Sequence, residues 1–415
     1  MTERAVEREG PFLVAQNESC VPHTSNKMAS IDSVLTLTLD LPPSCIEFWP
    51  RDSQYAVVGT YNLEKEDGSG LSDPAQHEGQ KKDQQRNGSL ILVRVKGDTV
   101  EIVQTLGTSS AILDVHFLQQ EGADSIFGVA TSTGSIGIYQ LDQESANDTP
   151  EIVLLQTLQY FPENELITAF SWHPEQSAVG MTLSTGKVCL GKVDLEKPSH
   201  LDVGVHELEA WTLAFLPDGT GIYSGGDDSA LKYMELPRDH PDSKEEISGA
   251  NYAPSWIMSW SDKKAHSAGV TAILPIHVDS GSAWIVTGSY DDHIRLIQAP
   301  TVGRRQVHAE MDLGGGVWRL KVLDKKMPTQ ATTDSSEAVQ PPQEVLLLVS
   351  CMHAGARIVK LLRTGEDWSF EVLAKFEEHK SMNYGSDSQV DLNSRGQRTI
   401  ISTSFYDRLL CLWRY

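Results

Sequence analysis

The sequence predicts an all-β fold, a seven-bladed WD-type β-propeller whose ring is closed by an N-terminal strand pairing in the last blade. Two observations carry this. First, a short apolar strand, a tight turn and a second, alternating strand recur, with matching turn positions at 88, 134, 186, 229, 292, 355 and 408. Their spacing runs from 43 to 63 residues. Repeats of about 40–45 residues lengthened by loop insertions are the signature of such blades. Second, residues 33–41 (Ser-Val-Leu-Thr-Leu-Thr-Leu-Asp-Leu) alternate with period two but have no hairpin partner of their own. The final strand pattern, 409–413, has no outer strand after it. Joining the two would leave the ring without an open edge.

The elements follow in order. Residues 1–30 are polar and patternless and predict a disordered tail. The propeller fills 31–415, with 31–41 as the closing strand. Inner strands are expected at 45–49, 111–117, 168–172, 211–215, 270–275, 317–322 and 384–390, each an apolar run opening a blade. The first turn is expected at Asn87-Gly88, a favoured hairpin dipeptide. Three polar stretches rich in Gly, Pro and Ser, at 64–87, 237–253 and 325–343, read as inserted, disordered surface loops. The last two account for the longest spacings.

Bulk properties narrow the function. With 40% hydrophobic and 22% charged residues, the chain has the composition of a globular protein. A net charge of −23 argues against nucleic-acid binding, which needs a basic face. The N-terminus carries Glu3, Arg4, Glu7, Arg8 and Glu9 and no apolar core, so a signal peptide is not expected. No apolar run is long enough for a membrane helix. The five cysteines are scattered without a CxxC pair, and Cys189, Cys351 and Cys411 read as small buried hydrophobes. These features together predict a monomeric cytoplasmic protein in a reducing compartment, with no metal and no cofactor.

The turns separate structural from unexplained residues. Asp228, Asp291 and Asp407 occupy the turn position where Asp accepts backbone hydrogen bonds, and His206, His266 and His379 precede the inner strands of blades four, five and seven. That pairing is a structural feature of WD-type blades. Asp227, Tyr290 and His353 fill one equivalent slot before the turn in blades four, five and six, and the repeat does not explain them. Strand alternation puts the slot at the end of the propeller where the inner strands start. Those starts carry Glu209, Trp211, Gly314-Gly315-Gly316-Val317-Trp318-Arg319, and His379-Lys380-Ser381-Met382-Asn383-Tyr384. Acids, histidines and aromatic rings thus converge on one sector of one face, where propeller loops commonly bind ligands or dock proteins. The chain has no GxSxG, HExxH, zinc-type Cys/His spacing or Gly-rich loop followed by Lys-Ser/Thr. The glycines at 314–316 read either as a tight blade-to-blade connection or as a row of amides facing an oxyanion.

Glu209-Ala210-Trp211, Tyr223-Ser224-Gly225-Gly226-Asp227-Asp228, Gly315-Gly316-Val317-Trp318-Arg319 and Cys351-Met352-His353-Ala354-Gly355, with Tyr384-Gly385, resemble the WD-repeat diphthine methyl ester hydrolases of the eukaryotic diphthamide pathway. The resemblance implies hydrolysis of a methyl ester on a modified histidine of translation elongation factor 2, the protein substrate. That side chain joins a carboxylate ester to a trimethylammonium group. A quaternary ammonium wants aromatic faces and a nearby carboxylate. Trp211, Tyr290, Trp318 and Tyr384 are candidates for the faces, and Asp227 and Asp292 for the charge. Ester hydrolysis wants a base and an oxyanion donor. His353 is the candidate base, with Arg319 or the amides of Gly315 and Gly316 as donors. A nucleophilic variant uses Ser381 with His379, two residues apart on one face of a strand. The alternative from another class is a non-catalytic WD-repeat scaffold that only binds partners.

Overall fold

The computed structural model describes residues 29–63, 86–120, 122–143, 149–175, 177–194, 196–236, 259–279, 281–328 and 340–415. The described strands form seven antiparallel blades, each opening on an inner strand that lines the central channel. Inner strands run Pro43–Phe48, Ile112–Phe117, Ile167–Trp172, Ala210–Phe215, Val270–Asp279, Arg319–Lys326 and Ser386–Leu392. The expected positions agree to within a few residues at each end. Apolar side chains from neighbouring blades interdigitate between the sheets, and one such cluster joins Ile285 and Ile297 of blade five to Tyr223 and Tyr233 of blade four.

Ring closure is as expected in kind and shorter in extent. Leu35–Thr38 pairs antiparallel with Leu409–Arg414, Leu35 facing Leu412 and Thr38 facing Leu409. Val34 and Leu39 on either side add amide bonds to the Leu412 and Arg408 carbonyls, at 2.7 and 2.8 Å, outside the strand itself. Ala29–Ile31 pairs parallel with residues 374–376 on the outside of blade six, so the tail assignment ends too late. Residues 1–28 lie outside the described residues.

Six of the seven turn positions adopt the left-handed conformation that a tight hairpin turn requires: Gly134 (φ 68°), Gly186 (86°), Ser229 (58°), Asp292 (66°), Gly355 (78°) and Arg408 (57°). The first does not. Arg86–Lys96 is one continuous strand in which Gly88 pairs with Thr108, so the expected turn at Asn87-Gly88 is a strand segment. The 64–87 insertion separates blade one's second and third strands, so no tight turn is needed there. Gly88 is required for a different reason: a Cβ would sit 2.3 Å from the Thr60 carbonyl oxygen.

Residues 86 and 87, expected as loop, therefore belong to a strand, and so do Lys325 and Lys326. Residues 64–85, 237–253 and 329–339 of the expected loops lie outside the described residues.

Candidate functional site: an aromatic mouth over a charged channel

The inner strands all begin at one end of the propeller, beside the turns between second and third strands. There, aromatic side chains from separate blades meet. Trp318, leading into blade six's inner strand, lies 5.7 Å from Trp211 of blade four, 6.0 Å from Tyr290 of blade five and 4.9 Å from Tyr384 of blade seven, ring centre to ring centre. All four are half-buried. The Trp211 indole Nε1 donates to Asp227 Oδ1 at 2.6 Å, fixing the carboxylate at the edge of the cluster. Burial pushes the Asp227 carboxyl above its ordinary range; the Trp211 hydrogen bond opposes this, and Glu209 and Asp228 add to it. Burial also raises the Tyr290 and Tyr384 hydroxyls, so both rings stay neutral. Five expected binding residues, Trp211, Asp227, Tyr290, Trp318 and Tyr384, are thus brought together.

The cluster extends further than the sequence indicated. Phe405 packs on Tyr384 at 5.4 Å, and Tyr61 lies 6.2 Å from Phe405. Met352 also faces this mouth, because a Cβ on Gly316 would meet Met352 Sδ at 2.6 Å and Tyr290 Cδ1 at 3.5 Å. Gly315 is equally tight, 2.5 Å from the Cys351 carbonyl oxygen. The amide of Gly314 donates to Asp312 Oδ1 at 2.7 Å. Gly315 and Gly316 thus serve close packing of one loop on the next, whereas Gly314 holds a left-handed turn (φ 78°) with open space where a Cβ would lie.

The expected catalytic groups do not assemble. His353 is exposed and lines a shallow depression with Asp312, Arg357 and Lys375, outside the aromatic cluster. Asp292 holds the left-handed turn position, and no hydrogen bond ties its carboxylate to the cluster among the described residues. Ser381 and His379 do not form a pair. Ser381 Oγ donates to Asp407 Oδ1 at 2.6 Å, whereas His379 Nε2 meets Ser402 Oγ at 3.0 Å. Burial pushes His379 down to about 4, and its side chain works within the blade. Blade four shares the hydroxyl contact, His206 Nε2 meeting Ser224 Oγ at 2.8 Å, and adds the expected aspartate, Nδ1 meeting Asp228 Oδ1 at 2.8 Å, whereas His379 Nδ1 has no hydrogen-bond partner among the described residues. In blade five, His266 Nε2 meets Thr287 Oγ1 at 2.9 Å, but Asp291 is taken by Arg295 Nη1 at 2.9 Å and the Ser267 amide at 2.9 Å.

Arg319 points into the channel and not at the mouth. Its Nη2 donates to Asp114 Oδ1 at 2.8 Å, joining blade six to blade two across the channel. Asp114 is buried, which raises its carboxyl, but Arg319 and His116 outweigh burial and hold it below the ordinary range. His116 Nδ1 meets Glu47 Oε2 at 2.8 Å and Nε2 lies 3.3 Å from Asp114 Oδ2. Burial works against its charge, yet these two carboxylates raise it to about 10. Lys321 pairs with Asp387 further along. Trp318, Arg319, Asp114 and His116 line a channel cavity of about 450 Å³ that runs on to Leu118, Pro174, Pro217 and Pro275 at the far ends of the inner strands, and of the four mouth rings Trp318 alone lines it. Sequence reasoning missed this network, although its signal is present. Asp114/His116 and Arg319/Lys321 are charges two residues apart in otherwise apolar strands, which puts each pair on one strand face. The thiols among the described residues add no nucleophile, since burial raises Cys45 and Cys351 to about 12, Cys411 to about 11, and Cys189 likewise upward.

Comparison with known proteins agrees with this fold. The family described as WD domain, G-beta repeat, matches residues 260–298. A chain of the solved structure titled "Crystal Structure of Mitotic Checkpoint Complex" superposes with a TM-score of 0.56 at 14% identity, covering 99% of both chains, a likeness of fold alone. Two relatives are named diphthine methyltransferase. The protein from Schizosaccharomyces pombe is 27% identical over 383 residues (88% of this chain, 94% of the relative). That from Saccharomyces cerevisiae is 27% identical over 433 residues (90% and 95%). A third, from Dictyostelium discoideum and named diphthine methyltransferase homolog, is 26% identical over 405 residues (91% and 98%). A methyltransferase adds a methyl group, so these names overturn the methyl ester hydrolysis expected from the motif resemblance. The chain is a WD-type propeller similar, along most of its length, to proteins named for methyl transfer and diphthine.

Proposed function

We propose that this protein is an enzyme of the diphthamide pathway, a methyltransferase acting on the diphthine side chain, with cytoplasmic translation elongation factor 2 as the carrier protein. Similarity to the diphthine methyltransferases over about nine-tenths of the chain supports the pathway and reaction class. The observation that carries the reading to a site is the aromatic mouth. Diphthine bears a trimethylammonium group, a cation that cannot donate a hydrogen bond. It is held by ring faces, each contact contributing roughly 0.5–2 kcal/mol, and by a carboxylate. Trp211, Tyr290 and Tyr384 each pack against Trp318, giving a half-buried aromatic surface, and Asp227 stands at its edge. Methyl transfer also needs the accepting group held still and shielded from water, which a rigid aromatic rim on seven sheets favours.

The test is mass spectrometry of elongation factor 2 carrying the diphthine side chain, incubated with purified protein and a methyl donor. Because the nitrogen is already quaternary, the methyl passes from a sulfonium donor to a carboxylate oxygen of the side chain, giving the methyl ester and the neutral thioether; this gain of one methyl mass is expected, and is lost in Trp318→Ala. An unchanged mass with folded protein and donor present would overturn the reading.

A further inference from the structure

We propose that the aromatic mouth is one end of a longer track that binds an extended polypeptide segment, so that the protein reads the chain around the modified histidine. This rests on the function proposed above. The rings do not stop where one side chain would be enclosed. From Trp318 the series continues through Tyr384 to Phe405 and on to Tyr406, whose ring stands 5.0 Å from Phe405 at 89°. Burial falls along this path. The inner rings are half-buried, whereas Tyr406 is 70% exposed at the blade-seven rim.

Tyr406 has no role in the core. Its backbone amide donates to Ser381 Oγ, and its ring packs edge-on against Phe405 and is otherwise largely open to water. A large exposed ring continuous with a binding mouth is the arrangement that protein interfaces use for an anchor. The two ends of the track differ chemically. At blade four, Asp227 and the exposed Glu209 suit a cation. At blade seven, Phe405 and Tyr406 offer ring faces, and the neighbouring carboxylate, Asp407, is taken up by Ser381 Oγ, Ser404 Oγ and the Lys380 amide. The segment therefore lies with its quaternary ammonium at the Trp211 end and an apolar residue of the same chain over Tyr406. A free modified amino acid would fill only the first end.

The experiment compares two probes by calorimetry: tetramethylammonium chloride, and elongation factor 2 carrying diphthine. Wild type is expected to bind both. Tyr406→Ala should weaken binding of the protein probe by up to about tenfold, the scale of one aromatic contact, and leave tetramethylammonium affinity as it was. Tyr406→Phe should restore protein binding, since it keeps the ring. If Tyr406→Ala binds the elongation factor as tightly as wild type while tetramethylammonium still binds, the track is wrong and the cation site stands. If it weakens both probes equally, its effect is on the fold, and the track is again wrong. If wild type binds neither probe, the proposed function falls first and takes the track with it.

Discussion

At Asp227, burial and one indole hydrogen bond oppose each other. Burial raises the carboxyl, the Trp211 N–H lowers it, and the balance leaves it above the ordinary carboxylate value of about 4. The sign follows for binding. As pH falls through this raised value the carboxylate gains a proton and loses its charge, so affinity for tetramethylammonium should fall in weakly acidic solution. Asp227→Asn should lower affinity at neutral pH by about tenfold and flatten the profile; a variant with the wild-type profile would remove Asp227 from the site. Stability has the opposite sign. A carboxyl that keeps its proton to higher pH in the fold than in the unfolded chain disfavours folding when ionised, so Asp227→Asn should keep or slightly raise the melting temperature. Residues such as Asp227 and Tyr290 were legible because the repeat accounts for their neighbours and not for them. His353 was misread for a backbone reason. Met352 before it also has positive φ, 42°, a second left-handed residue in the blade-six turn. The blade-six connection between Ser350 and Ala356 is longer than that of blade five between Ser289 and His293, and it is Met352 that lies beside Gly316, with His353 exposed.

Blades are the scale on which the sequence was most transparent. Apolar runs opening each repeat located the inner strands, and the glycine, serine, aspartate and arginine at the turn positions marked six left-handed turns. Two elements were hidden. Ala29–Ile31 is too short to show alternation, and its parallel pairing to blade six depends on where the chain passes on its way to the ring closure. Blade one's turn was lost because an insertion replaced it, while close packing against Thr60 preserved a glycine. The last blade carries a direct test of how a single strand holds the ring. Trp413 is fully buried, stacks on Phe376 at 5.1 Å with the planes 2° apart, and donates from Nε1 to Ser402 Oγ at 2.9 Å. Ser402 also meets His379, so one hydroxyl links indole and imidazole. Trp413→Ala should cost about 3–5 kcal/mol in urea unfolding. Trp413→Phe, which keeps an aromatic ring and loses the hydrogen bond, should cost nearer 1 kcal/mol. A loss in the alanine variant below that of the phenylalanine variant would mean that this packing does not hold the blade.

Across the whole molecule, buried histidines set how stability depends on pH, and they act in opposite directions. Burial lowers His206, His266 and His379, with His266 and His379 at about 4. In the unfolded chain each titrates near 6.5. As pH falls from about 6.5 toward 4, the unfolded chain takes up protons that the fold refuses, so stability falls by up to about 1.4 kcal/mol per pH unit for each histidine. This window lies above the one in which Asp114, Asp228, Asp291 and Asp407, all held below the ordinary carboxylate range, lose their contribution. His116 behaves inversely. Asp114 and Glu47 raise it to about 10 against burial, so its stabilisation is complete below about 6.5 and is lost as pH rises toward 10. That loss is moderated because the His116 side chain is 36% exposed to the channel. Stability should therefore peak near pH 6.5–7, with limbs of separate origin. Urea midpoints measured from pH 4.5 to 9.5 should show His379→Gln flattening only the acid limb and His116→Gln only the alkaline limb. A wild-type midpoint that stays level between pH 4.5 and 6.5 would show that the three histidines are not held neutral in the fold. An alkaline limb unchanged in His116→Gln would show that loss of the His116 proton is not what sets that limb.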